Sequence, residues 1–195
     1  MNYPNGIKKN FKSSNFINYA NRGMKLEDDL NITNNYYRDM DVAYIYKKPT
    51  PIKITKVNYP SRDKAMIKEA FFDTPSTTDY NGIYKGKYVD FEAKETNSLT
   101  SFPLNNIHKH QIEFMKEFEV QDGISFIILY FSSRDEFYYL PFSDIIKFWE
   151  RAENGGRKSF TYAEIDKSYR INPGKGIMVH YLEMIQKDIN ERTGE

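Results

Sequence analysis

Residues 77–94 read TTDYNGIYKGKYVDFEAK, two runs of strand-forming residues on either side of Lys85-Gly86. A two-residue turn that ends in glycine, flanked by alternating apolar and polar side chains, predicts a β-hairpin. If the residues beside the turn pair, Asp79 lies directly opposite Glu92, with Cα atoms roughly 4.5–5.5 Å apart. The predicted hairpin therefore brings two carboxylates together. A slip of one residue would separate them, because Lys-Gly is a weaker turn signal than Asn-Gly.

The second strand of this hairpin sorts its side chains by face. Val89, Phe91 and Ala93 point toward a core, whereas Glu92 and Lys94 point the other way. Two facing acids repel each other, and a divalent cation relieves the repulsion, since carboxylate oxygens are the ligands that magnesium prefers. A lysine beside them can orient an attacking water and offset charge on a phosphoryl transition state. The alternative is a solvent-facing strand whose charges pair with nothing in particular.

Composition favours one cytoplasmic domain. The chain has 195 residues and no cysteine, which excludes disulfides and thiolate metal sites. No apolar run approaches the length of a membrane span, and the N-terminus lacks the apolar region of a signal peptide. We expect residues 1–20 to form a flexible basic arm and residues 21–195 to form the domain.

Basic residues are distributed unevenly. The formal net charge is only +1, so a nucleic-acid surface must come from local clusters. Residues 1–26 hold five basic residues and no acid, and residues 47–64 hold six basic residues against one acid. A solvated face is the alternative explanation for each cluster.

Periodicity predicts helices and strands in alternation. The expected helices are Gly23 to about Asp39, Ser61 to about Phe71, Asn105 to about Phe118, and one from Ser143 to about Arg151, followed by two shorter helices separated by residues 172–176. The expected strands beside the hairpin are Val42–Tyr46, Ile52–Tyr59, Ile124–Phe131 and Phe137–Leu140. This order, with one wholly apolar strand, predicts an α/β domain around a mixed β-sheet.

Two further positions are candidates for function. Gln111 sits inside an apolar helical stripe, where its amide needs a partner: a metal-bound water or phosphate, or the backbone. Of Phe71 and Phe72, we expect one ring in the core and the other exposed and available to stack on a base. His108 and His110 stand two apart and point in different directions on a helix, which argues against a chelating pair.

Several sequence strings together carry a resemblance to a known family. Asp79 followed by Glu92-Ala93-Lys94 resembles the core of the PD-(D/E)xK nucleases. Longer strings are more specific: NRGM at 21–24, LEDDL at 26–30, KKPTP at 47–51, KEA at 68–70, TDYNG at 78–82, DFEAKET at 90–96, SFPL at 101–104 and HQIE at 110–113. Over residues 1 to about 150 they resemble the RecU family of Holliday junction resolvases.

The resemblance implies a fold, a cofactor and an assembly. The fold is a restriction-endonuclease-like mixed β-sheet flanked by helices, with a projecting stalk at about residues 47–75. The assembly is a homodimer with one Mg²⁺-dependent active site in each subunit, Mn²⁺ being a possible substitute. The substrate is a four-way DNA junction, and recombinase or branch-migration proteins are the expected further partners.

The resemblance also assigns residues. Thr77, Asp79, Glu92 and Gln111 would surround the metal. Lys94 would stabilise the transition state, and Glu27, in a helical first turn where the dipole alone favours an acid, would assist.

DNA contacts are expected from the stalk and the basic clusters. These contact residues are Arg22, Lys47, Lys48, Arg62 and Phe72. Two alternatives stay open: a nuclease of the same fold that cuts another DNA substrate, and a junction-binding protein without activity.

Overall fold

A computed structural model describes residues 26–61, 63–72 and 77–194, and its centre is one six-stranded sheet. In spatial order the strands are β1 (Tyr44–Lys47), β4 (Tyr80–Tyr84), β5 (Lys87–Thr96), β7 (Ile124–Phe131), β8 (Glu136–Pro141) and β10 (Arg170–Ile171). Strands β5 and β7 are parallel, and the other neighbours are antiparallel. The predicted α/β class with a mixed sheet is confirmed. The predicted arm of residues 1–20 lies outside the described residues.

The hairpin between β4 and β5 has the predicted register. Lys85 and Gly86 both adopt positive φ angles, 47° and 78°, which close a two-residue turn. Tyr80 pairs with Phe91 at the far end of the ladder. Gly82 is required where β1 crosses close by, since a Cβ atom there would lie 2.1 Å from the carbonyl oxygen of Tyr44.

Helices cover both faces of the sheet. They are α1 (Leu26–Asp39), α2 (Lys109–Val120), α3 (Phe142–Glu153) and α4 (Leu182–Thr193). Strand β7 serves both cores: Phe126 and Ile128 pack in the core that includes α1 and α4, and Ile127 and Leu129 in the core that includes α2 and α3. This two-sided burial explains why β7 is almost wholly apolar.

The predicted helix from Ser61 to Phe71 is wrong. The chain there forms β3 (Met66–Phe72), which pairs antiparallel with β2 (Ile52–Asn58) in a separate two-stranded sheet. We call residues 52–72 the ribbon. A serine that can cap a helix is a weak local signal, and here the pairing of β3 with β2 outweighs it.

Three other boundaries differ from the prediction. A 3₁₀ turn at Leu104–Asn106 precedes α2, so this helix begins later than expected. Helix α3 begins at Phe142, directly after Pro141, which places Ser143 inside its first turn. The first of the two short C-terminal helices is replaced by β9 (Ser159–Thr161), which pairs with β6 (Ser101–Pro103), and by two 3₁₀ turns before β10. None of the described helices is long and apolar enough to cross a membrane.

Candidate active site

Asp79 is held from both neighbouring strands. It stands one residue before β4, so the strand begins later than predicted. Its backbone oxygen accepts a hydrogen bond from the Lys48 amide at 2.8 Å, and its Oδ2 accepts one from the Ala93 amide at 3.1 Å. Among the described residues its other oxygen, Oδ1, has no hydrogen-bond partner. The carboxylate is therefore fixed beside β5 with one oxygen available.

Glu92 is a buried carboxylate with an unsatisfied oxygen. Its side chain is only 4% exposed, and Oε1 lies 2.7 Å from the Lys94 ammonium. Within the described part of the chain, Oε2 is buried and has no hydrogen-bond partner. Burial, and then the charge of Asp79, raises the pKa of Glu92 to about 7, although Lys94 opposes the shift.

These two acids fit a divalent cation. A buried oxygen without a partner is costly, and a cation that binds Oε2 of Glu92 and Oδ1 of Asp79 would remove that cost. No group of three or more His, Cys, Asp or Glu residues with metal-site geometry exists among residues 26–61, 63–72 and 77–194. Magnesium suits such a sparse site, because it commonly keeps waters and substrate phosphates beside one or two carboxylates.

Gln111 connects α2 to the segment before β4. Its Oε1 accepts from the His108 amide at 3.0 Å, which caps the first turn of α2. Its Nε2 donates to the Thr77 backbone oxygen at 3.2 Å. The structure thus shows the backbone-bonded glutamine considered above, and the roles of Gln111 and Thr77 at a metal stay predictions.

Lys48 corrects an expectation. Its ammonium lies 2.6 Å from Oδ2 of Asp90, a fully buried carboxylate, and donates to the Thr78 hydroxyl at 2.7 Å. The same ammonium stands 4.5 Å from the centre of the Phe114 ring. With its charge occupied in this way, Lys48 is not placed as the DNA contact that its basic cluster suggested.

The Lys48–Asp90 pair was not found from the sequence. Alternation placed Asp90 on the polar face of β5, where a solvated charge was the simplest interpretation. The only available signal was the position of Asp90, two residues before Glu92 and on the same face. The Thr78 hydroxyl also donates to Asp90, so the pair fastens the segment that carries Asp79.

Lys47 and Glu27 meet at the surface. The Lys47 ammonium lies 2.5 Å from the Glu27 carboxylate, and both side chains are about half exposed. The Tyr80 hydroxyl donates to the Glu27 backbone oxygen at 3.3 Å, and negative charge on Glu27 and Asp79 adds to the burial that raises the pKa of Tyr80. Glu27 therefore stands beside the site without contacting Glu92, and its assisting role stays a prediction.

Both phenylalanines of the ribbon are exposed. Phe72 is 83% exposed and Phe71 is 64% exposed, so the expectation of one core ring is wrong. The availability of Phe72 for stacking agrees with the prediction. Arg62 and Arg22 lie outside the described residues.

The fold and the site together define a class of protein. A mixed sheet flanked by helices, with an aspartate beside one strand and Glu-x-Lys on the next, is the arrangement of the PD-(D/E)xK nucleases. A model of the family described as RecU, recombination protein U, matches residues 21–187. The chain belongs to the RecU family.

Curated relatives agree with this assignment over most of the chain. A Holliday junction resolvase RecU from Bacillus cereus is 53% identical over 173 residues, 86% of each chain. One from Listeria welshimeri is 50% identical over 196 residues, 96% of this chain and 98% of the relative. A solved structure of Hjc, a Holliday junction resolvase from Archaeoglobus fulgidus, matches with a TM-score of 0.37 and 14% identity over 73% of this chain and 82% of that one, a likeness too distant to support a conclusion.

Proposed function

We propose that this protein is a structure-selective endonuclease that resolves four-way DNA junctions by paired, metal-dependent phosphodiester hydrolysis in recombination and repair. The observation that carries the proposal is the pair formed by Asp79 and the buried Glu92, with Lys94 on the same strand. The names of the relatives, Holliday junction resolvases, supply the substrate.

Asp79 and Glu92 would hold Mg²⁺, or Mn²⁺ in its place, with Thr77 and Gln111 beside them. A cation there would act as a Lewis acid on the phosphoryl group and lower the pKa of a bound water. The side chain without another role is Lys94, whose ammonium already stabilises the ionised form of Glu92. When DNA is bound, the same ammonium can offset the negative charge that grows on the attacked phosphate.

The Lys48–Asp90 pair has a positioning role in this proposal. Lys48 donates to the hydroxyls of Thr77 and Thr78, at 3.2 and 2.7 Å, directly before Asp79. A catalytic carboxylate displaced by about 1 Å loses much of its effect. We infer that the buried pair keeps Asp79 at its distance from β5.

The active assembly in this proposal is a homodimer. Resolution of a four-way junction needs two opposed incisions, and the described residues hold one Asp/Glu/Lys set. The sheet offers a matching surface: Tyr44, Ile83 and Tyr88 form one cross-strand row, and all three are exposed. Phe118 extends this row, with its ring 5.1 Å from that of Tyr88. A second copy of the chain, related by a two-fold axis, would cover this face and supply the second site.

The ribbon is the proposed junction-selective element. Its two strands form a sheet of their own, and most of their side chains are exposed. We propose that it enters the open centre of the junction, where Phe72 stacks on unpaired bases and the basic residues, Arg62 among them, approach phosphates. Lys47 and Arg22 are the other proposed DNA contacts. We further propose one nuclease domain over residues 21–195, a cytoplasmic location, and contact with recombinase or branch-migration proteins.

Cleavage of a synthetic mobile four-way junction, with and without Mg²⁺, tests the proposal. We expect cleavage only with the metal, and none by Asp79→Asn or Glu92→Gln, because each loses a ligand charge. Both variants should still bind the junction, since other residues contact the phosphates. Glu113→Gln, at an exposed acid of α2 paired with Lys109, is the matched control and should cleave normally.

Each other outcome favours a different function. Mg²⁺-dependent cleavage by the Asp79→Asn, Glu92→Gln double variant would refute the site. Equal cleavage of junction and linear duplex would indicate a nuclease of the same fold with another substrate. Junction binding without cleavage by the wild type would indicate a binding protein.

A further inference from the structure

A polar cleft of about 620 Å³ lies beside the proposed metal site. Its lining begins at Glu95, one residue after Lys94, and includes Asn97, Ser101 and Asn106. Asn106 ends the 3₁₀ turn before α2, the helix that carries Gln111 in its first turn. The cleft therefore adjoins the site where a phosphodiester would be cut, and its volume is typical of small-ligand sites.

The wall of this cleft is rigid. The Ser98 hydroxyl accepts hydrogen bonds from the amides of Thr100 and Ser101, at 3.3 and 3.2 Å. The Arg134 guanidinium donates twice to the Leu99 backbone oxygen, at 2.8 and 2.6 Å. A loop held in this way presents its side chains in a fixed arrangement, which a specificity site needs.

The free polar groups of the cleft suit a nucleobase better than a phosphate. No lysine or arginine is among its lining residues, and Glu95, which forms no ion pair with a described residue, would repel an anion. The side-chain amides of Asn97 and Asn106 have no hydrogen bonds within residues 26–61, 63–72 and 77–194. An amide can donate to and accept from a base edge, and a carboxylate accepts from the exocyclic amino group of cytosine or adenine.

From this geometry we infer that the cleft binds the base of the nucleotide next to the cut and sets which sequences are cleaved. The inference rests on the proposed function, because it needs a DNA strand at Lys94. Glu95, Asn97 and Asn106 are the specificity-determining residues, and a base that carries an amino group is favoured at one position beside the cut. Selectivity for the junction belongs to the ribbon and is separate.

Mapping of cut positions tests this inference. The substrate is a junction whose mobile core carries the branch point through many different sequences, and each product is sized to one nucleotide. In Glu95→Gln and Asn106→Ala, we expect preference for the favoured base to fall about tenfold, since one well-placed contact provides discrimination of about that size. Total cleavage and junction affinity should change less than twofold. Asn105→Ala, at an exposed neighbour outside the cleft, should keep the wild-type pattern.

The results separate failure of the inference from failure of the function. Variants that cut at the wild-type positions in the wild-type proportions would overturn the inference and leave the resolvase function intact. A uniform loss of cutting at every position, with a lowered melting temperature, would show a structural role and also overturn it. A wild type that cuts no junction would overturn both.

Discussion

Lys47 and Lys48 are adjacent in the sequence, but their ammonium groups lie in very different surroundings. Lys47 forms a half-exposed pair with Glu27, whereas Lys48 is paired with Asp90, whose side chain is completely buried. Exposed pairs contribute little to stability because water and salt screen them. A buried pair is different, because removal of one partner leaves the other charge unpaired away from water.

Lys48→Met should therefore destabilise the fold strongly. We expect the free energy of unfolding to fall by about 3–5 kcal/mol, the usual cost of breaking a buried pair. Lys47→Met, the matched control, should cost less than about 1 kcal/mol. Urea unfolding at neutral pH measures both. Equal effects of the two substitutions would show that Asp90 does not depend on Lys48.

His180 makes stability depend on pH. Its Nδ1 accepts from the Tyr37 hydroxyl at 2.9 Å, and its buried Nε2 lies 3.6 Å from Glu183. Burial lowers the pKa of His180, and Lys175 adds to this, whereas Glu183 opposes it. Below about pH 6.5 the unfolded chain takes up a proton that the folded chain resists, so stability falls as the pH falls.

The predicted slope can be measured directly. Urea unfolding between pH 7.5 and 5 should show a loss of up to about 1.4 kcal/mol per pH unit from this histidine. His180→Gln keeps an acceptor for Tyr37 and removes the titrating group, so its stability should change less steeply over this range. The comparison of slopes is independent of the overall stability of the variant. An unchanged slope would mean that His180 does not titrate differently on folding.

Sequence patterns predicted elements well where the signals were local. The hairpin follows from its turn, because Lys85 and Gly86 determine a register that Tyr80 and Phe91 then satisfy. The ribbon was missed because its second strand is stabilised by pairing with β2, a contact outside any local window. The buried state of Asp90 was missed for the same reason, since Lys48 is 42 residues away in the sequence.

Phe72→Ala tests the ribbon. Because the Phe72 ring is 83% exposed, its loss should leave the melting temperature within about a degree of the wild type. Stacking on an unpaired base is worth on the order of 1–3 kcal/mol, so junction cleavage should fall about tenfold or more. Ile32→Ala, at an exposed apolar residue of α1, should cleave normally. A Phe72→Ala variant with normal junction cleavage would contradict stacking at the crossover.

The whole molecule should act as a two-fold symmetric pair. Ile83 lies in the exposed row between Tyr44 and Tyr88, and a charge there would be buried by a second copy. Ile83→Glu should therefore shift sedimentation from dimer to monomer and replace paired cuts by slow single nicks. Ile32→Glu, on the surface of α1, should remain dimeric. Complete resolution by a wild-type monomer would refute the dimer.

Separation of the ribbon from the two cores also affects how this protein can evolve. Substitutions in the cores must preserve a stability that is marginal in natural proteins, so selection removes most of them whatever they do for DNA. The exposed strands β2 and β3 escape that filter, because they pack mainly on each other. Drift and selection can therefore change the ribbon while β5 and its carboxylates stay the same. New DNA preferences can arise there without the loss of the folded enzyme.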